Sequence, residues 1–170
     1  MNLPFEEASS RMSASVAIIG SFKTVERYQA VLASIEAFRA EGWTVTSPAG
    51  SAVLEAGIDF VRFETDHPDM SDAEVQSVTL ERIMSADIVY VTAPDGYIGR
   101  TTCYEIGRLI QARRPVFFSM KPEDLPILVA SRFIAEASVV AREYKGRHAP
   151  TLFEDGEDGS SVVERRLTHG

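Results

Sequence analysis

The sequence predicts an α/β fold: a doubly wound parallel sheet of four to five strands with helices on both faces. Three observations predict it. Short runs rich in Val, Ile or Phe alternate with segments of helical spacing, which implies parallel strands joined by crossover helices. Those runs are almost continuously apolar, as strands buried on both faces must be. Finally, 170 residues, 45% of them hydrophobic, are enough to close one core.

Taken in order, "SASVAIIG" (13–20) reads as a buried strand that stops at glycine. After the "SFKT" loop, Val25, Tyr28, Val31, Leu32, Ile35 and Phe38 recur on one helical face, which Gly42 ends. "WTVTSP" (43–48) is a second strand, stopped by Pro48. The 22-residue connection "AGSAVLEAGIDFVRFETDHPDM" exceeds an ordinary link and reads as a functional loop. Ser71 and Glu74 form a capping-box signature for a helix running to about Ser85. "DIVYVTA" (87–93) is the third strand, a helix follows over 102–113, and "RPVFFSM" (114–120) is the fourth strand. "PEDLPILVASRFIAEA" is expected to hold a further helix, and "SVVARE" a weak edge strand. The expected organisation is a flexible segment over 1–13, one domain over 14–145 and an acidic, mobile tail over 146–170.

Composition removes several function classes. The net charge of −8 opposes general affinity for nucleic acid, whose phosphates it repels. No run approaches the roughly 20 apolar residues of a membrane span, and the polar, acidic N-terminus does not resemble a secretory signal. A lone cysteine, Cys103, cannot close an internal disulfide and fits a cytoplasmic setting. His67, His148 and His169 lack metal-ligand spacing, so neither a metal nor a cofactor is expected.

Parallel sheets bind ligands beyond the carboxyl ends of their strands. Three segments should therefore meet at one rim: "GSFK" (20–23), the long loop after strand two, and "PDGYIGRTT" (94–102) after strand three. "GSFK" offers backbone amides, the Ser21 hydroxyl and Lys23 beside a helix start, where anions are favoured; a plain turn with a cap is the competing reading. Glu105 stands three residues after Thr102, the relation of a capping box, so it could do no more than cap its own helix. Gly107 would then serve tight helix–sheet packing. Alternatively the Glu105 carboxylate faces the rim and attacks an anomeric carbon. Such chemistry wants a second carboxyl group, and Asp95, at the tip of the preceding strand, is the nearest in sequence. Asp87 reads as a residue of the strand start, whereas Asp59 and Asp66 lie in the long loop. Phe60 and Phe63 could stack on a base or anchor that loop.

The stretches "VAIIGSF", "SADIVYVTAPDGYIG" and "YEIGRLIQARRPVFF" resemble the nucleoside 2-deoxyribosyltransferase superfamily, over about residues 14–120 and most specifically over 86–118. The resemblance implies a small flavodoxin-like domain, a homodimer or larger homo-oligomer, and a nucleoside or nucleoside 5′-monophosphate as ligand. It implies that Glu105, in "EIG", attacks the sugar C1′, and that Ser21 in the "GS" loop holds the 5′ side. Phosphate contacts then fall to Ser21, Lys23, Arg100 and Thr101, and Phe22, Thr79, Tyr97, Gly99 and Thr102 join the substrate-binding set. Two positions depart from the family pattern: Thr79 and Gly99 stand where acidic residues, or in the second case an Asp or Ser, are usual. Asp95, Arg100, Thr101 or Thr102 would have to substitute at the second. A non-catalytic nucleotide-binding sensor built on the same pocket is the alternative function.

Overall fold

The computed structural model describes residues 13–49 and 68–152. Four strands, β1 (Ser15–Gly20), β2 (Thr44–Ser47), β3 (Ile88–Thr92) and β4 (Val116–Phe118), form one all-parallel sheet in the order β2-β1-β3-β4. Four helices accompany them: α1 (Val25–Ala40), α2 (Asp72–Ser85), α3 (Arg100–Gln111) and α4 (Ala137–Tyr144). From β1 the chain steps outward to β2, then returns across to β3 and on to β4. Right-handed crossovers therefore place α1 on one face and α2 and α3 on the other. In keeping with this, α1 packs with α4, α2 lies over β1 and β2, and α3 lies over β4. This is the doubly wound arrangement that the alternation of elements predicts.

The core explains why these segments hold. Val16, Ala17, Ile18 and Ile19 of β1 and all five residues of β3 are buried, the pattern of central strands covered on both sides. On α1, Val31, Ser34, Ile35 and Phe38 form the inward stripe. Val25 leaves that stripe and is 67% exposed, because it is the first helical residue and projects past the sheet. Phe38 meets Tyr90 and Trp43 edge-on, with centroids 5.4 and 5.5 Å away. The Trp43 indole N–H donates to Ala141 O at 2.9 Å, joining the start of β2 to α4. The α2 capping box forms as expected, with the Ser71 and Glu74 side chains each accepting the other's backbone N–H.

Three expectations after β4 are corrected. "PEDLPILVASRFIAEA" holds only a single 3₁₀ turn, Ser131–Phe133, because Pro122 and Pro126 break the helical hydrogen-bond pattern. "SVVARE" is part of α4, not an edge strand: Val140 and Ala141 bury one helical face against α1. The place of a fifth strand is taken by one parallel bridge, Phe118 to Ile134. Nor does a mobile tail begin at residue 146, since Ala149 and Leu152 are buried in the core.

Candidate functional site at the carboxyl rim of β1 and β3

In the order β2-β1-β3-β4 the connections diverge between β1 and β3, so a crevice opens at their carboxyl ends. A Cβ on Gly20 would stand 2.0 Å from Thr92 Oγ1 and 3.0 Å from Thr92 O, so any side chain at this point would force Thr92 or its strand to shift. The following turn is locally bonded: Ser21 Oγ accepts from the Lys23 N–H, and Thr24, the N-cap of α1, accepts from the Arg27 N–H, both at 3.3 Å. Phe22 is half-buried, with its ring 6.0 Å from that of Tyr28. Lys23 is exposed.

The loop after β3 is braced from the far side. Asp95 and Gly96 both take the left-handed conformation, with φ of 56° and 75°. A Cβ on Gly96 would meet Glu123 Cγ at 2.4 Å, so the segment after β4 lies directly on this turn. That segment supplies three hydrogen bonds to the loop: Glu123 N–H to Gly96 O, Ile98 N–H to Asp124 Oδ1, and Ala93 N–H to Ser119 Oγ. Ile98 is buried, and Tyr97 turns the other way to lie under Arg27. Asp95 is left exposed at the tip.

Helix α3 starts two residues earlier than its sequence spacing predicts. Gly99 is the N-cap and offers no side chain to close the helix start. Thr102 therefore sits inside the helix, 3% exposed and turned into the core, and the Thr102–Glu105 capping box does not form. Among the described residues, the Glu105 carboxylate accepts no hydrogen bond and faces no charged partner. The residue keeps part of its surface accessible, yet protein surrounds the carboxyl closely, and that desolvation raises it to about 7. A carboxyl group raised in this way gains and loses its proton near neutrality.

The remaining residues divide clearly. Tyr97, Gly99, Arg100 and Thr101 follow one another from the loop into α3, with Arg100 exposed. Thr79 is half-buried on α2, on the stripe of Val75 and Ile83. Gly107 is exposed, with no described residue within 4 Å of the point where a Cβ would stand, so among the described residues it serves no helix–sheet packing. Asp87 accepts from the Ser15 N–H and hydroxyl at 2.8 Å and belongs to the start of β3. Burial raises the Cys103 thiol, which keeps it protonated, and no metal-binding cluster exists among the described residues. Asp59, Phe60, Phe63, Asp66, His67 and His169 lie outside the described residues.

Arg27 belongs to no motif that sequence reasoning picks out. Its one signal is a cation in the first turn of a helix, where the helix dipole disfavours positive charge.

At the opposite rim a groove of about 520 Å³ is lined by Trp43, Asp87, Arg113, Arg114, Arg147 and His148, among others. Its basic character has a structural cause. Arg114 donates to Ala86 O at the end of α2, and nearby Lys145 donates to Glu41 O at the end of α1. These cations satisfy helix carboxyl termini.

No family model and no curated protein matches the chain. A solved structure of a conserved protein from Enterococcus faecalis matches with a TM-score of 0.43 and 11% identity; the alignment covers 63% of each chain.

Proposed function

We propose that the protein cleaves the N-glycosidic bond of a nucleoside or nucleoside 5′-monophosphate, with Glu105 as nucleophile, as an enzyme of the nucleoside 2-deoxyribosyltransferase kind. One observation carries the reading: among the described residues the Glu105 carboxylate has no structural partner, although the sequence offers it one in Thr102. A desolvated, unpaired carboxyl group destabilises the fold, and attack on C1′ gives it a use. Glu105 ionises, an oxygen bonds to C1′, and the C1′–N bond breaks with its electron pair passing to the base. Asp95, on the neighbouring turn, supplies the proton the base needs. Water then hydrolyses the glycosyl ester, or a second base takes the sugar.

A non-catalytic sensor is the second reading, favoured by Thr79 and Gly99 standing where the resemblance expects acidic groups. A panel of nucleosides and their 5′-monophosphates, assayed for free base with and without an acceptor base, separates the two. Release abolished by Glu105→Ala and Glu105→Gln supports the enzyme. Ligand binding without release, unchanged by Glu105→Gln, supports the sensor. A homo-oligomeric state and a cytoplasmic setting belong to the same proposal, and light scattering reads the first.

A further inference from the structure

We propose that Arg27, seated on the ring of Tyr97, selects substrates by an anionic group at the 5′ end of the sugar, so that the site prefers nucleoside 5′-monophosphates to nucleosides. The inference rests on the N-glycosidase reading of Glu105 and names its substrate class. The geometry is specific. The Arg27 guanidinium carbon lies 3.6 Å from the centre of the Tyr97 ring, within the range of a cation–π contact. The same ring comes within 3.8 Å (Cε1) and 3.9 Å (Oη) of a Cβ built on Gly99, the N-cap of α3. One phenol ring therefore separates the guanidinium of α1 from the start of the helix that carries Glu105.

Arg27 makes no ion pair among the described residues. Glu26 beside it is exposed, and its carboxyl is lowered first by its own backbone, next by the Thr24 hydroxyl, and only last by Arg27. The acid is thus committed to the start of α1. Arg27 meanwhile occupies the first turn, where the dipole opposes a cation. A guanidinium held over a ring by its carbon still carries N–H donors, and such a fork can grip two oxygens of a phosphate at once. Arg100, exposed at the first position of α3 and likewise without an ion pair among the described residues, adds charge of the same sign at the start of that helix.

The test measures kcat/KM for base release from a nucleoside 5′-monophosphate and from its parent nucleoside, using the full chain. The expected wild-type preference for the monophosphate is about 10- to 100-fold, the range of charge-assisted hydrogen bonds. Arg27→Met should collapse that ratio, chiefly through the monophosphate, and Arg27→Lys should restore part of it. Tyr97→Leu, which removes the seat but not the charge, should lower the ratio by an intermediate factor. A wild type indifferent to the phosphate, or an Arg27→Met variant that slows both substrates equally, would overturn the inference; in the second case Arg27 only holds the loop.

Calorimetry on the same proteins with the monophosphate, the nucleoside and inorganic phosphate keeps this result apart from the fate of the enzymatic reading. Phosphate-dependent binding that Arg27→Met removes, in a protein releasing no base, sustains the selector while the N-glycosidase reading fails. Base release in which Arg27→Met leaves the ratio intact does the reverse.

Discussion

Gly20 and Thr92 face each other where β1 and β3 end, and the space between them does not admit a methyl group. Because a Cβ at Gly20 would fall 2.0 Å from Thr92 Oγ1, either the two strands or the Thr92 side chain must shift to admit one. The Thr92 hydroxyl donates to Ile19 O at 3.3 Å, so it is not free to turn away. Gly20→Ala is expected to cost roughly 1–3 kcal/mol in urea unfolding. Combining it with Thr92→Ala should cost less than the sum of the two single changes, since one removes what the other strikes.

The desolvated Glu105 carboxyl makes two measurements depend on pH. As a nucleophile it acts ionised, so kcat/KM for base release should rise with pH as Glu105 ionises and turn down again where the donor to the leaving base has lost its proton.

Its effect on folding has the opposite sign. A carboxyl raised in the folded state favours the fold while protonated, so its contribution declines between its ordinary value of 4.5 and about 7. Glu105→Gln should match wild type near pH 4.5 and exceed it at pH 8.5 by up to roughly 3 kcal/mol. Thermal melts at the two pH values check this, and a stabilisation equal at both would contradict the desolvation.

Gly107 lies inside α3, exposed, and no described residue occupies the place where a side chain would stand. A helical glycine without a steric reason costs about 0.5–1 kcal/mol relative to alanine. Gly107→Ala should therefore raise stability by that amount. A lower melting temperature would mean that another surface approaches the bare backbone.

Ser71 anchors α2 through both halves of its capping box, and Ser71→Ala should cost about 1 kcal/mol. Glu74→Ala removes the reciprocal bond and should cost less, which denaturant midpoints of the two variants can rank.

The strands, α1 and α2 were legible because each carries its signal locally, in apolar runs, a 31/35/38 stripe and a capping pair. The chain beyond β4 was not. There Leu125 and Val129 are only partly buried and Pro122 and Pro126 forbid regularity, so the segment takes its shape from bracing the "DGYIG" loop. α4 was missed because "SVVARE" has the β-branched content of a strand, and only packing against α1 makes it a helix. At the site, Glu105 could be named in advance but its freedom could not. That depended on α3 starting at Arg100, set by Gly99 and the braced loop before it. Arg27 lay beyond reach for a different reason, since its partner Tyr97 is 70 positions away in the chain.

The indole bond from Trp43 to Ala141 has a kinetic corollary. It spans 98 positions, and the same late-translated stretch buries Val140, Ala149 and Leu152 in a core that β1 begins. Until that stretch leaves the ribosome, Phe38, Trp43 and Phe117 lack part of their covering. The nascent chain should therefore stay protease-sensitive until the residues up to Leu152 have emerged and then gain its resistance abruptly, as topologies of distant partners do.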